Sequence, residues 1–370
     1  MSRPPRDAAH AAEATRPRPH RSGGAGRATR PLGRPRAWLG VLALAVALGS
    51  TALAQVDVRS AELGFSVTVP NAWPVRVDVA DDGVSVSIDA PFGGASVVLW
   101  SGALPDVERD AFETGGLDGL LAALFDDIAR ELVGARTTAA FDAEVLRGEA
   151  RGLAFEAGRV SGRLVASVTG DVAHVWWVGG THPDVDRILG SADLRGPQAN
   201  AARGAPRVRA TLLYRRTWFD LPAGWTLTHD LGHGDVVAAL VHPLGAGITI
   251  TMVDLASPEA AAYHAASMAE RADLLAAETA ARHPDAQVTV RPPAGRHLPV
   301  VVDVAAPDAI GAVAALLADG DAEGATAIVT IRAHGPLAAA ADLADAFERV
   351  LATLRVGPGW WRTPLPPPGG

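Results

Sequence analysis

From about residue 65 onward, apolar and polar positions alternate in short runs. Phe65-Ser66-Val67-Thr68-Val69 alternates and stops at Pro70, which predicts a strand ended by proline. Val75, Val77 and Val79 alternate next, Asp81-Asp82-Gly83 supplies a turn, and Val84, Val86 and Ile88 alternate back, predicting a hairpin. Ser96 to Trp100 predicts a fourth strand. The pattern then changes period: Leu117, Leu120, Leu121, Leu124, Ile128 and Leu132 recur at spacings of three and four, the stripe of an amphipathic helix. Further strands are expected over 140–146, 154–160, 164–169 and 174–178, and a short helix over 185–189.

The second half follows the same order. Strands are expected over 218–221, 226–229, 236–241 and 247–253, then a long Ala-rich helix over 258–282 with Pro258 at its first turn. Strands return over 287–291 and 300–304. A hairpin is expected from 310–317 and 327–332 across Asp319–Gly324, and a terminal helix over 337–353. Pro70 and Trp73 match Pro222 and Trp225 at an offset of 152 residues, and the same offset carries Pro91-Phe92-Gly93 onto Pro243-Leu244-Gly245. Continued without a gap, it lays Val97-Val98-Leu99 on Thr249-Ile250-Thr251. This is the mark of an internal repeat. Gly196 to Pro206 reads as a linker by composition, so each half is expected to fold alone.

Charge is unevenly distributed. Residues 1–36 carry nine Arg against Asp7 and Glu13, and an apolar run follows from Ala37 to Ala54, ending Ala52-Leu53-Ala54. A basic flank, an apolar core and small residues before a cleavage point are the parts of a secretory signal peptide. Cleavage is expected after Ala54 by the Sec route, for export to the periplasm or beyond. An uncleaved run would instead tether the protein to a membrane. A start further downstream, near Leu32, would leave a leader of ordinary length. Beyond Ala54 stand 24 Arg and 39 acidic side chains, a net charge of −15. Such a surface repels phosphate backbones, so no nucleic-acid partner is expected.

The chain has no cysteine and no lysine. That excludes disulfides, thiolate chemistry, Schiff bases and a P-loop lysine. No G-x-S-x-G elbow and no H-E-x-x-H helix occurs. His229, His233 and His242, with Asp230 and Asp235 among them, form the densest histidine group and the one candidate metal site. They fall on an expected hairpin without a ligand motif, so a polar turn is the preferred reading, and no metal or other cofactor is expected. Asp319-Gly320-Asp321-Ala322-Glu323-Gly324 begins like a calcium loop, but Thr330 stands where the bidentate carboxylate belongs, and a hairpin turn is preferred. Neighbouring strand residues face opposite sides, so Trp176 and Trp177 should each be covered by a different layer or by a partner. Trp73 and Trp225 are expected to plug the core where the first strand of each half turns. Trp360 and Trp361, in a Pro-rich tail, are expected to clamp onto the domain or to contact a partner.

An alternating strand ending in Pro-x-x-Trp, a hairpin, a further strand and a long helix resembles the PsbP-like superfamily. So do the closing helices around Arg187-Ile188-Leu189-Gly190-Ser191 and Arg349-Val350-Leu351-Ala352-Thr353. The resemblance implies an α+β fold in two tandem domains, each an antiparallel β-sheet flanked by helices as an α/β/α sandwich. The expected domains are 55–195 and 211–357, joined by a linker over 196–210 and followed by a tail over 358–370. It implies no catalytic residues. The expected function is a non-enzymatic binding or envelope-assembly role with an unknown protein or small-molecule partner. The alternatives are a secreted hydrolase with a site between the domains and a membrane-tethered structural protein.

Overall fold

The computed structural model describes residues 55–70, 73–80, 83–91, 93–197, 206–212, 217–228, 235–254, 258–292, 299–318 and 327–356. The leader, the apolar run over 37–54 and the tail beyond 356 lie outside them. The described residues fall in one compact unit. No helix among them is long and apolar enough to cross a membrane.

In the first half the order is β1 (Gln55–Ser60), β2 (Phe65–Pro70), β3 (Val75–Ala80), β4 (Gly83–Asp89), β5 (Ala95–Gly102), α1 (Asp106–Glu131), β6 (Arg136–Asp142), β7 (Arg151–Ala157), β8 (Val160–Thr169), β9 (Val172–Gly180), α2 (Pro183–Gly190) and β10 (Asp193–Leu194). The second half runs β11 (Arg209–Leu212), β12 (Thr217–Asp220), β13 (Thr226–Thr228), β14 (Val236–Val241), β15 (Gly247–Asp254), α3 (Pro258–Ala265), α4 (Met268–Arg282), β16 (Gln287–Val290), β17 (Val300–Ala305), β18 (Ala309–Ala318), β19 (Ala327–Pro336), α5 (Ala340–Thr353) and β20 (Arg355–Val356). The fold is mixed α+β, built on antiparallel sheets with a few helices.

These strands form two sheets, each crossing from one half to the other. The larger has 14 strands in the order β16-β17-β18-β19-β15-β14-β13-β3-β4-β5-β9-β8-β7-β6. The smaller has six, β10-β2-β1-β11-β12-β20. Each order reads the same from either edge once β1–β10 are matched with β11–β20. The halves meet where β3 pairs with β13 and β1 with β11, both antiparallel. They are therefore not joined by a linker alone. Arg209 and Ala210, expected in the linker, belong to β11. Strand β1, before the first expected strand, supplies the other side of that seam.

The space between the sheets holds one apolar cluster drawn from both halves, including Val58, Val67, Leu99 and Trp176 with Ala210, Phe219, Ile250 and Phe347. On the outer face of the large sheet, α1 covers Phe155, Leu164 and Ala173, and α4 covers Val300, Val302 and Val313. On the inner face, α2 packs on β2 and α5 on β12, β18 and β19. The expected α/β/α sandwich is thus corrected: the small sheet shares the inner layer with the helices, because β1, β2 and β11 alternate strictly and bury one face.

Other expectations shift. The long helix over 258–282 is two helices. Ser267 Oγ accepts the Glu270 N–H while the Glu270 carboxylate accepts the Ser267 N–H, a capping box that starts a new helix. Helix α1 breaks at the matching place, at Gly116 with φ 63°. The strand expected over 140–146 ends at Asp142. The gapless alignment also slips. Val86 pairs with Leu99 and Ile88 with Val97, whereas Ala238 pairs with Ile250 and Leu240 with Ile248. Val97 and Leu99 therefore correspond to Ile248 and Ile250, not to Thr249 and Thr251. A one-residue slip exchanges the two faces of a strand, and only this register puts Ile248 and Ile250 in the core.

The tryptophan corners are alike. The Trp73 N–H donates to Pro70 O at 3.3 Å and the Trp225 N–H to Pro222 O at 3.4 Å. Both rings are buried as expected.

Candidate functional site

A groove about 780 Å3 in volume opens at one end of the large sheet in the second half. Its origin lies in the sequence after β16. In the first half β6 pairs with β7 along the full length of both strands, from Arg136↔Glu156 to Asp142↔Arg151. In the second half β16 stops at Val290 and covers only Val302–Ala305 of β17. Arg291 adds one more backbone bond, to Val301 O at 2.9 Å. Pro292 and Pro293 follow, and proline has no N–H to continue the ladder. In the first half the equivalent space is closed by the 143–150 connection: the Leu146 N–H donates to Ala192 O, the Leu194 N–H donates to Arg147 O, and Val145 packs on the core. In the second half, residues 293–298 lie outside the described ones.

The groove floor is apolar: Val300, Val301, Ala315, Leu316, Leu351 and Leu354 line it. Its polar groups are few. Arg291 pairs with Asp303 at 2.7 Å and with Glu348. Arg271 donates to the carbonyls of Tyr263 (2.9 Å) and His264 (2.6 Å), and Arg355 to those of Ala352 (3.0 Å) and Leu354 (2.7 Å). Neither Arg271 nor Arg355 forms an ion pair among the described residues. Tyr263 also lines the groove, but its hydroxyl is sealed from solvent and has no hydrogen-bond partner among the described residues. Burial pushes its pKa up to about 12, so it remains a donor at any ordinary pH. A space of this size with an apolar floor and a few polar groups has the make-up of a small-molecule site.

A second, polar cleft of about 450 Å3 lies at the seam, lined by both halves through Asp57, Arg59, Ser66, Arg207, Arg209 and Asp220 among others. Arg59 stands directly opposite Arg209 in the β1–β11 register. Arg209 pairs at 3.0 Å with Asp220, whose side chain is 4% exposed. Burial raises the pKa of Asp57, opposed by Arg59 and a hydrogen bond from Ser66.

A third feature is internal. Ser101 on β5, His174 on β9 and Ser167 on β8 form a row across three adjacent strands, and all three are fully buried. Among the described residues, His174 Nε2 and Ser167 Oγ have no hydrogen-bond partner. In the matching register the second half places Met252, Val329 and Leu316 in such a row. The fold at this place therefore does not require polar side chains.

Of the three candidate metal ligands, His229 and His233 lie outside the described residues. His242 sits beside Trp225, with ring centroids 5.1 Å apart, and its Nδ1 accepts the Leu244 N–H at 3.3 Å. Among the described residues no group of three potential ligands gathers. The Asp319–Gly324 turn and Trp360 and Trp361 also lie outside the described residues. Trp176 is buried within the fold, whereas Trp177 is 38% exposed and meets Phe155 in a T-shaped contact, so within this chain a layer covers only the first of the two. The groove residues Tyr263, Arg271 and Arg355 escaped the sequence reading because they come from three separate elements. The signals available were the Pro292-Pro293 stop and one of only two tyrosines in the chain.

No family model matches the chain, and no curated protein matches it. Among solved structures, it is similar to the solution structure of cyanobacterial PsbP (CyanoP) from Synechocystis sp. PCC 6803, at 14% identity and a TM-score of 0.31, over 38% of this chain and 94% of that one. It is also similar to the crystal structure of MucB, at 14% identity and a TM-score of 0.16, over 88% of this chain and all of that one. Scores of this size carry no argument about what the chain does.

Proposed function

We propose that this chain is an exported, non-enzymatic binding protein, a tandem duplication of a PsbP-like unit whose second copy carries the binding site. The observation that carries the reading is the groove beyond β16. There an apolar floor lies beside Arg271 and Arg355, neither of which forms an ion pair among the described residues. Export rests on the basic flank, apolar run and Ala52-Leu53-Ala54 box, and the envelope is where the protein would meet its partner.

The test is direct. The neutral dye N-phenyl-1-naphthylamine brightens in apolar sites and should bind the purified chain. Ala352 is exposed on α5 and lines the groove, so Ala352→Trp fills it without disturbing the core. The variant should lose the dye signal and keep the melting temperature. Equal dye binding by both proteins would reject the groove as the site.

The seam cleft favours a second reading, a secreted hydrolase. There Asp57, with its raised pKa, lies in a cleft lined by both halves, as an interdomain acid would. Asp57→Asn should then abolish any hydrolysis found on screening ester and glycoside substrates. Activity retained in that variant would end this reading.

A further inference from the structure

Resting on the groove reading above, we infer that the ligand is a single-chain amphiphile with an anionic head, such as a fatty-acid carboxylate. Its chain lies over Val300, Leu316 and Leu351, and its head is held by Arg271 and Arg355. Two observations point the same way. The floor is built from aliphatic side chains of β17, β18 and α5, and an alkyl chain gains about 25 cal/mol for each Å2 it removes from water there. The cations are not spent on carboxylates: Arg291 is neutralised by Asp303 and Glu348, whereas Arg271 and Arg355 donate to backbone carbonyls, Arg271 also lies over the Tyr263 ring at 5.7 Å, and neither forms an ion pair among the described residues. A guanidinium beside an apolar wall binds a carboxylate more strongly than the same pair does in open water.

Charge makes the head group specific. Beyond Ala54 the chain carries −15, which by itself repels anions. An anionic ligand is therefore favoured only where local positive charge exceeds local negative charge, and this groove has two Arg that form no ion pair among the described residues. A cationic amphiphile would meet the same two Arg at like charge and be rejected.

The experiment displaces the bound N-phenyl-1-naphthylamine with dodecanoate, dodecan-1-ol and dodecyltrimethylammonium, each below its micelle concentration. Dodecanoate should displace the dye at a tenfold or lower concentration than the alcohol, and the ammonium should be weakest. Arg355→Gln, an exposed position, should erase the advantage of dodecanoate over the alcohol and leave the alcohol unchanged. Arg271→Gln should do the same, provided its melting temperature holds; Arg355→Gln decides alone if it does not. Equal displacement by all three amphiphiles would overturn the anionic head while leaving the groove as an apolar site. Dye that binds wild type and Ala352→Trp alike would overturn the groove reading and this inference together.

Discussion

Ser101 Oγ and His174 Nδ1 lie 2.6 Å apart on adjacent strands, wholly buried between the sheets, with Phe65 edge-on to the imidazole at 6.2 Å. Ser167 flanks the same imidazole from β8 and Trp176 lies beside it on β9. No carboxylate forms an ion pair with it among the described residues. Burial alone pushes the His174 pKa down to about 4 from 6.5. The folded state therefore keeps His174 neutral where the unfolded chain takes up a proton. Stability from this group is fully present above pH 6.5 and falls as the pH drops toward 4, by roughly 3 kcal/mol across that window. Denaturant unfolding at pH 7 and pH 4.5 should show the loss. His174→Val, which copies Val329 at the matching place, should flatten it. An unchanged pH slope in that variant would locate the acid sensitivity elsewhere.

Trp73 and Trp225 seal equivalent corners at 2% and 1% exposure. Replacing either with Ala should cost ~3–5 kcal/mol, read from chemical unfolding. Because the sheets and the inner core are continuous, either substitution should move a single transition for the whole chain. A shift under a degree or two in both variants would mean that the rings are not core.

The seam predicts the fate of the isolated halves. Residues 55–197 alone would expose β1 and β3 as unpaired edges and open the shared core, and residues 206–356 would do the same at β11 and β13. Neither should give a monomer with a sharp melting transition, and mixing the two should restore one. Two monomeric halves that each melt cooperatively would show that the seam adds little.

Gly64 has φ 72°, and a Cβ placed there would fall 1.9 Å from the carbonyl carbon of Gly196. Left-handed backbone costs a non-glycine residue ~1–2 kcal/mol, and the clash with a backbone atom adds to that. Gly64→Ala should therefore destabilise the protein by at least about 2 kcal/mol in the same unfolding assay. Gly93, also at positive φ but with nothing within 4 Å of its Cβ position, should tolerate Ala with only the backbone term.

Much of the fold could be read from period alone. Alternation located most strands because a sheet that buries one face must be apolar at every second residue, and the Leu stripe located α1. The Pro-x-x-Trp corner was legible because proline ends a ladder and a wide ring is needed behind it. The Ser267-Met268-Ala269-Glu270 box, which divides α3 from α4, was also present in the sequence, but a continuous alanine pattern outweighed it. Tertiary structure alone decided the rest. Period cannot tell which strand edges pair, so the joining of the halves through β1–β11 and β3–β13 was invisible, as was the role of β1. The one-residue slip at β15 appeared only in the pairing register. The groove is set by where β16 ends, at Val290, and by the helix face across from it. Tyr263, Arg271 and Arg355 come together there from elements far apart in the chain, and only folding brings them to one site.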